Sequence, residues 1–131
     1  LPRSNCDRAC LEGFALSYVE ALNAKDPSRA PFAEDVRFTE NSVEMPIGEG
    51  LWGSVSAADP ADGMMPADVV TGNVAWFGHA YEHGNLVFLA IRLHVSRAGE
   101  IDEADDVDVK KLREEAEKMA DKISANILRA A

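Results

Sequence analysis

Residues 18–40 read YVEALNAKDPSRAPFAEDVRFTE, and a change of hydrophobic period inside this stretch decides the fold. Tyr18, Val19 and Leu22 end a stripe that begins with Leu11, Phe14 and Ala15, spaced by three and four as on one face of a helix. Asp26-Pro27 stops that helix. From Asp35 to Asn41 the period falls to two, with Val36, Phe38 and Glu40 on one side and Arg37, Thr39 and Asn41 on the other. An amphipathic helix followed at once by a one-sided strand reads as α+β. The same stretch brings the Tyr18 phenol and the Glu40 carboxylate towards one apolar hollow, a minimal set of groups for moving a proton without a cofactor.

Upstream, Ser4 and Asp7 form a capping pair for a helix from about Cys6 to Ala24. Cys6 and Cys10 stand one helical turn apart, where a disulfide closes only if Cys6 lies outside regular helix, and the expectation is two thiols. Downstream, Pro46, Gly48 and Gly50 end a hairpin-like region, Leu51-Trp52 starts a single helical turn, and residues 53–68 read as an irregular connector.

Asn73–Tyr81 and Leu86–Ser96 are strands joined by a tight turn near His83-Gly84-Asn85. A two-residue turn puts Val74, Trp76, Val87, Leu89, Ile91 and Leu93 on a core face. The other face carries Phe77, His79, Tyr81, Phe88, Arg92 and His94, which suits a dimer interface, a solvent face or a lined cavity. Beyond Ala98-Gly99, Glu100 to about Val107 reads as a last strand. A helix follows from Asp108, its stripe being Val109, Leu112, Ala116, Met119, Ile123 and Ile127. That stripe needs a partner, either the domain's own sheet or a neighbouring subunit.

The 131 residues are expected to form a single domain, and 47% hydrophobic content is enough for a real core. The net charge of −10 argues against nucleic acid and anionic membrane surfaces as partners, and no apolar run is long enough to span a bilayer. Glu100–Lys122 holds ten acids against five bases and reads as a solvated acidic stretch leading into a helix. The three histidines and two cysteines show no metal-ligand spacing, so neither metal nor organic cofactor is expected. The expectation leans to the cytoplasm, with secretion left open by a chain that starts at Leu1.

Residues 18–40, with the segments CDRACLEGF, VRFTEN, GEGLW, TGNVAWFG and LAIRLHV, resemble the nuclear-transport-factor-2-like superfamily, in particular its ketosteroid-isomerase and SnoaL-like members. The matched pieces span roughly residues 5–103 and leave the helix of 108–131 outside. The resemblance implies a curved antiparallel sheet wrapped around N-terminal helices as a cone with an apolar pocket, to which the C-terminal amphipathic helix is added. It also implies Glu40 as general base and Tyr18 as donor to an oxyanion. The isomerases pair their tyrosine with a protonated aspartate, and the position here that best matches it is Ile91, so that second donor is missing.

The expected function is therefore a cofactor-independent acid–base enzyme, a lyase or isomerase with the lean towards lyase. Its ligand would be a small hydrophobic molecule, aromatic ones included, in a homo-oligomer of two or three chains. Glu40, Tyr18 and His79 are the candidate catalytic residues; Trp52, Trp76, Phe38, Arg92 and His94 are the candidate substrate contacts. The competing reading is a non-catalytic small-molecule-binding or assembly domain of the same fold.

Overall fold

A computed structural model describes residues 5–130, without the side chains of Lys111, Leu112, Leu128 and Ala130. Ser4, and the contribution of Leu112 to its stripe, thus lie outside the described residues. Helix α1 spans Arg8–Ala24 and strand β1 Phe32–Glu40, as the change of period requires. Strand β2 (Val43–Met45) and the short helix α2 (Leu51–Ser54) follow, then the two-residue strands β3 (Val55–Ser56) and β4 (Ala67–Asp68). Strands β5 (Asn73–Glu82), β6 (Asn85–Val95) and β7 (Ile101–Asp108) lead directly into helix α3 (Val109–Ala130).

Asp7 caps α1 through its carboxylate, which accepts from the Cys10 amide at 2.9 Å. Cys6 therefore precedes the helix and is free to bend back. The expected pair of thiols is instead a Cys6–Cys10 disulfide with the Cα atoms 5.2 Å apart. At the other end Lys25 adopts a left-handed conformation and its amide returns to the carbonyls of Ala21 and Leu22.

Among the described residues the strands form one curled sheet in the order β2-β1-β7-β6-β5-β3, with β4 also on β5. All pairs are antiparallel except β1 with β7, which is parallel and corrects the expectation of a wholly antiparallel sheet. The parallel pair arises because β7 slots between β1 and β6, far from its neighbour β1 in sequence. The turns Asn41-Ser42 and His83-Gly84 each hold two residues at positive φ, which matches the twist of a tight hairpin. The two-residue turn puts Phe77 opposite Ala90, His79 opposite Phe88 and Trp76 opposite Ile91, the register that parity requires.

The concave face of the sheet closes over α1. Leu11, Ala15, Tyr18, Val19 and Leu22 meet Phe38, Trp52, Val74, Trp76, Leu89, Ile91 and Leu93 in one core. Trp76 fills its place so tightly that a Cβ on Gly63 would lie 1.9 Å, and one on Gly78 2.5 Å, from its indole. Both glycines are thus required by close approach rather than by backbone conformation. None of the described helices is long and apolar enough to cross a membrane.

Candidate functional site

The acidic sequence IDEADDVD, expected to be solvated, is a central strand, β7. Its register against β6 shifts between His94 and Val95, which absorbs Asp102 and lets Ile101 and Ala104 both face the core. From Glu103 onward the strand alternates: Glu103 and Asp105 face outwards, Ala104, Asp106 and Asp108 inwards. Asp106 consequently sits almost without solvent contact, opposite Ile91 on β6 and Glu40 on β1.

Tyr18, on the buried stripe of α1, meets it there. Its hydroxyl donates to the Asp106 carboxyl at 2.7 Å, with the second oxygen at 2.8 Å. Trp52 Nε1 donates to the Tyr18 oxygen at 3.3 Å. The Tyr18, Phe32 and Trp52 rings close the spot edge-on, with centroids 5.3–6.0 Å apart. Burial pushes the Asp106 carboxyl up to about 8; the Tyr18 hydrogen bond pulls it down, and Glu40 and Asp105 push it further up. Burial, then the neighbouring Asp106, raises the Tyr18 phenol well above its ordinary range. At neutral pH this is a carboxylic acid and a phenol sharing protons inside an apolar wall.

Glu40 ends β1 one strand away. Its carboxylate accepts from the Leu51 amide at the start of α2. Gly50 makes this possible: it holds φ +63°, and a Cβ there would stand 2.6 Å from both Glu40 carboxylate oxygens. Glu40 is half-buried and opens onto a cleft of about 240 Å³ lined also by Asn41, Gly50, Leu51, Ser54, Glu82 and Asp108. A neighbouring cleft of about 300 Å³ shares Glu82 and Asp108 and runs on past His83, Asn85 and Val87 to Lys110 and Glu114. Asn41 Oδ1 accepts from the Asp108 amide at 3.0 Å, while its buried Nδ2 has no hydrogen-bond partner among the described residues.

The other expected site residues are dispersed. Trp52, Trp76 and Phe38 are core side chains, and none of them lines the cleft beside Glu40. Trp76 Nε1 donates to the Pro60 carbonyl at 3.1 Å. His79, Arg92 and His94 lie on the convex face of the sheet, away from Tyr18. There His79 faces Asp62 at 3.5 Å. Arg92 donates to Asp105, to Glu103 at 2.9 Å and to Asn73 at 2.7 Å. His94 contacts Asp102 at 2.6 Å and the Thr71 carbonyl at 2.9 Å. Tyr18 thus contacts Asp106, of which Glu40 is the register neighbour on β1, but His79 does not join them.

Ile91 contributes no acid, as its side chain requires. The residue facing it across the ladder is Asp106, whose buried carboxyl meets Tyr18 and which sequence reasoning missed. Alternation of Ala104 and Asp106 with Glu103 and Asp105 was the available signal, masked by the charge of the run. Among the described residues no group of three or more His, Cys, Asp or Glu side chains is placed to hold a metal ion. The constellation can accept a proton at the cleft and hold another behind it. Compared with known proteins, the chain matches no family model and no curated sequence.

Proposed function

We propose that this protein is a cofactor-independent acid–base enzyme in which Glu40 removes a proton from a small molecule held in the cleft beside it. The observation that carries the reading is the register pairing of Glu40 with the buried Asp106, whose carboxyl is pushed up to about 8 by burial. Two carboxyl groups in unequal surroundings are a usual arrangement for dividing acid and base roles. A neutral Asp106 leaves room for negative charge on Glu40, whereas two adjacent carboxylates would repel. Asp106 and Tyr18 are shut off from solvent, so they act as positioning residues through Glu40, and the Tyr18 hydroxyl is engaged with Asp106 rather than offered to a ligand.

The reaction class is proton abstraction next to an electron-withdrawing group, with lyase or isomerase outcomes. Asp106 is buried against Tyr18 and offers no donor to a ligand in the cleft, so the lean towards a lyase stands. The cleft wall carries three carboxyl side chains and Leu51, which is more polar than a wholly hydrophobic ligand requires. The nuclear-transport-factor-2-like resemblance, with its cone and apolar pocket, belongs to the same proposal and is supported by the curled sheet around α1.

Glu40→Gln keeps shape and hydrogen bonding but removes basicity. Screened against a panel of small carbonyl compounds by solvent-deuterium exchange at the acidic C–H, the variant should exchange a wild-type substrate on the order of a hundredfold more slowly or worse. Equal exchange by wild type and variant would sink the assignment. A second reading, a non-catalytic binding domain, is favoured by Trp52, Trp76 and Phe38 lying in the core instead of lining a cavity. It predicts ligand binding in the cleft with no exchange catalysed by the wild type.

A further inference from the structure

Among the described residues two clusters of exposed apolar side chains stand out, and they adjoin the same hairpin end of the molecule. The first is on the convex face of the β5–β6 hairpin, where Phe77, Tyr81, Leu86 and Phe88 are 41–59% exposed. These residues occupy successive rungs towards the His83-Gly84 turn. The second is the stripe of α3, where Val109, Met119, Ile123 and Ile127 are 44–65% exposed. The cleft that ends at Lys110 and Glu114 begins at Glu82, His83 and Asn85, so α3 leaves the body beside the hairpin turn.

Helix α3 does not cover its own convex face, since the apolar residues of that face and the stripe of the helix both stay exposed. Val109 follows Asp108 with no connecting residue, so the chain passes from β7 into the helix without the loop a reversal needs. Twenty-two residues then carry it about 33 Å at 1.5 Å per residue. The apolar convex patch, from Phe77 to Tyr81 on β5, runs roughly 13 Å at about 3.3 Å per residue, enough to seat about two turns of that helix.

The charges are also complementary. Residues 109–130 carry six bases and four acids, a net of +2, whereas residues 1–108 carry seven bases and nineteen acids, a net of −12. On the convex side of the sheet Asp62 faces His79, and Glu103 and Asp105 share one arginine, Arg92, so that face keeps an excess of acid. Pairing α3 with a second α3 would bring like charges together and leave the hairpin face bare. Laying it on the hairpin of another copy joins opposite charges and hides both surfaces.

We infer that two copies of this chain form a two-fold dimer in which each α3 lies across the convex β5–β6 face of the other. The exchange is isologous: each copy offers one helix and one sheet face, and the contact closes on itself.

Sedimentation equilibrium of the full chain at micromolar concentration should give twice the 14.2 kDa chain mass, with dissociation promoted by molar salt. Phe88→Glu and Ile123→Glu should each raise the dimer dissociation constant on the order of tenfold or more. Far-UV circular dichroism of each variant should match wild type, which separates dissociation from misfolding. A second arm holds even if those variants misfold. Chains carrying Phe88→Cys and Ile123→Cys, mixed and treated with a bismaleimide that spares the Cys6–Cys10 disulfide, should give a crosslinked heterodimer. A wild-type monomer would overturn the inference. So would efficient crosslinking of Ile123→Cys to itself alone, which would mean helix-to-helix pairing, or a monomer that binds anionic phosphatidylserine vesicles through α3.

Discussion

Asp105 and Asp106 are neighbours on β7 and live in opposite surroundings. Asp105 faces the convex side, partly in water, where the Arg92 guanidinium and the Thr39 hydroxyl, at 2.6 Å, satisfy it as a charged group. Asp106 faces the core, where its direct contact is the neutral phenol of Tyr18 and no cation among the described residues pairs with it. One peptide step thus separates a carboxylate held by ion pairing from a carboxylic acid held by desolvation. The pleat of the strand, not the composition of the segment, assigns the two states. The proposed site rests on the inner state, because a proton held next to Glu40 is what would distinguish this position from an ordinary strand end.

The largest effect that would sharpen the contrast is on the pH dependence of stability. The folded pKa of Asp106 is raised to about 8 from an unfolded 3.8, so between these values the folded state binds the extra proton. The stability this residue allows is therefore fully present below about pH 4 and is lost as pH rises through about 8. Relative to Asp106→Asn, which carries no titrating proton, urea unfolding of the wild type should weaken with rising pH by up to about 1.4 kcal/mol per unit. A flat difference between the two proteins over that window would break the comparison.

Removing side chains should separate the neighbours next. Asp106→Ala strands the buried Tyr18 hydroxyl and leaves a hole, and should cost about 2–3 kcal/mol in the same assay at pH 6. Tyr18→Phe removes one donor from an acid that stays protonated and should cost about 1–2 kcal/mol. Asp105→Ala leaves Arg92 with Glu103, Asn73 and water, and should cost about 1 kcal/mol or less. Asp105→Ala proving costlier than Asp106→Ala would reverse the account of which face matters.

The regions of the chain differ equally in how far residue order alone reveals them. The β5–β6 hairpin was readable to the rung, because alternation between apolar and mixed faces plus one glycine turn determines register. Helix α1 and the position of Tyr18 on its buried stripe followed from a three-and-four spacing. β7 defeated the same reasoning: five of its eight residues are acidic, and charge signals solvent unless the partners are known. Those partners, Arg92, Tyr18, Thr39 and His94, are distant in sequence, and the parallel pairing with β1 is set only by the completed sheet. The disulfide turned on a local detail, the start of α1 one residue beyond Asp7 rather than at Cys6. Glu40 was legible as a strand-end carboxylate, whereas its Leu51 amide partner depends on the turn that Gly50 permits. His79 and Arg92 were correctly grouped on one face, but parity alone does not say which side of a sheet a mixed face takes.

The central claim, that Asp106 carries a proton at neutral pH beside Glu40, is tested most directly by a carbon-detected NMR titration of its side-chain carboxyl. Selective ¹³C labelling of aspartate, with Asp106→Asn used to assign the resonance, follows that one group from pH 3 to pH 10. The account predicts a midpoint near 8 that moves down in Glu40→Gln, where the neighbouring negative charge is gone. A midpoint in the ordinary aspartate range near 4, unchanged by Glu40→Gln, would contradict it.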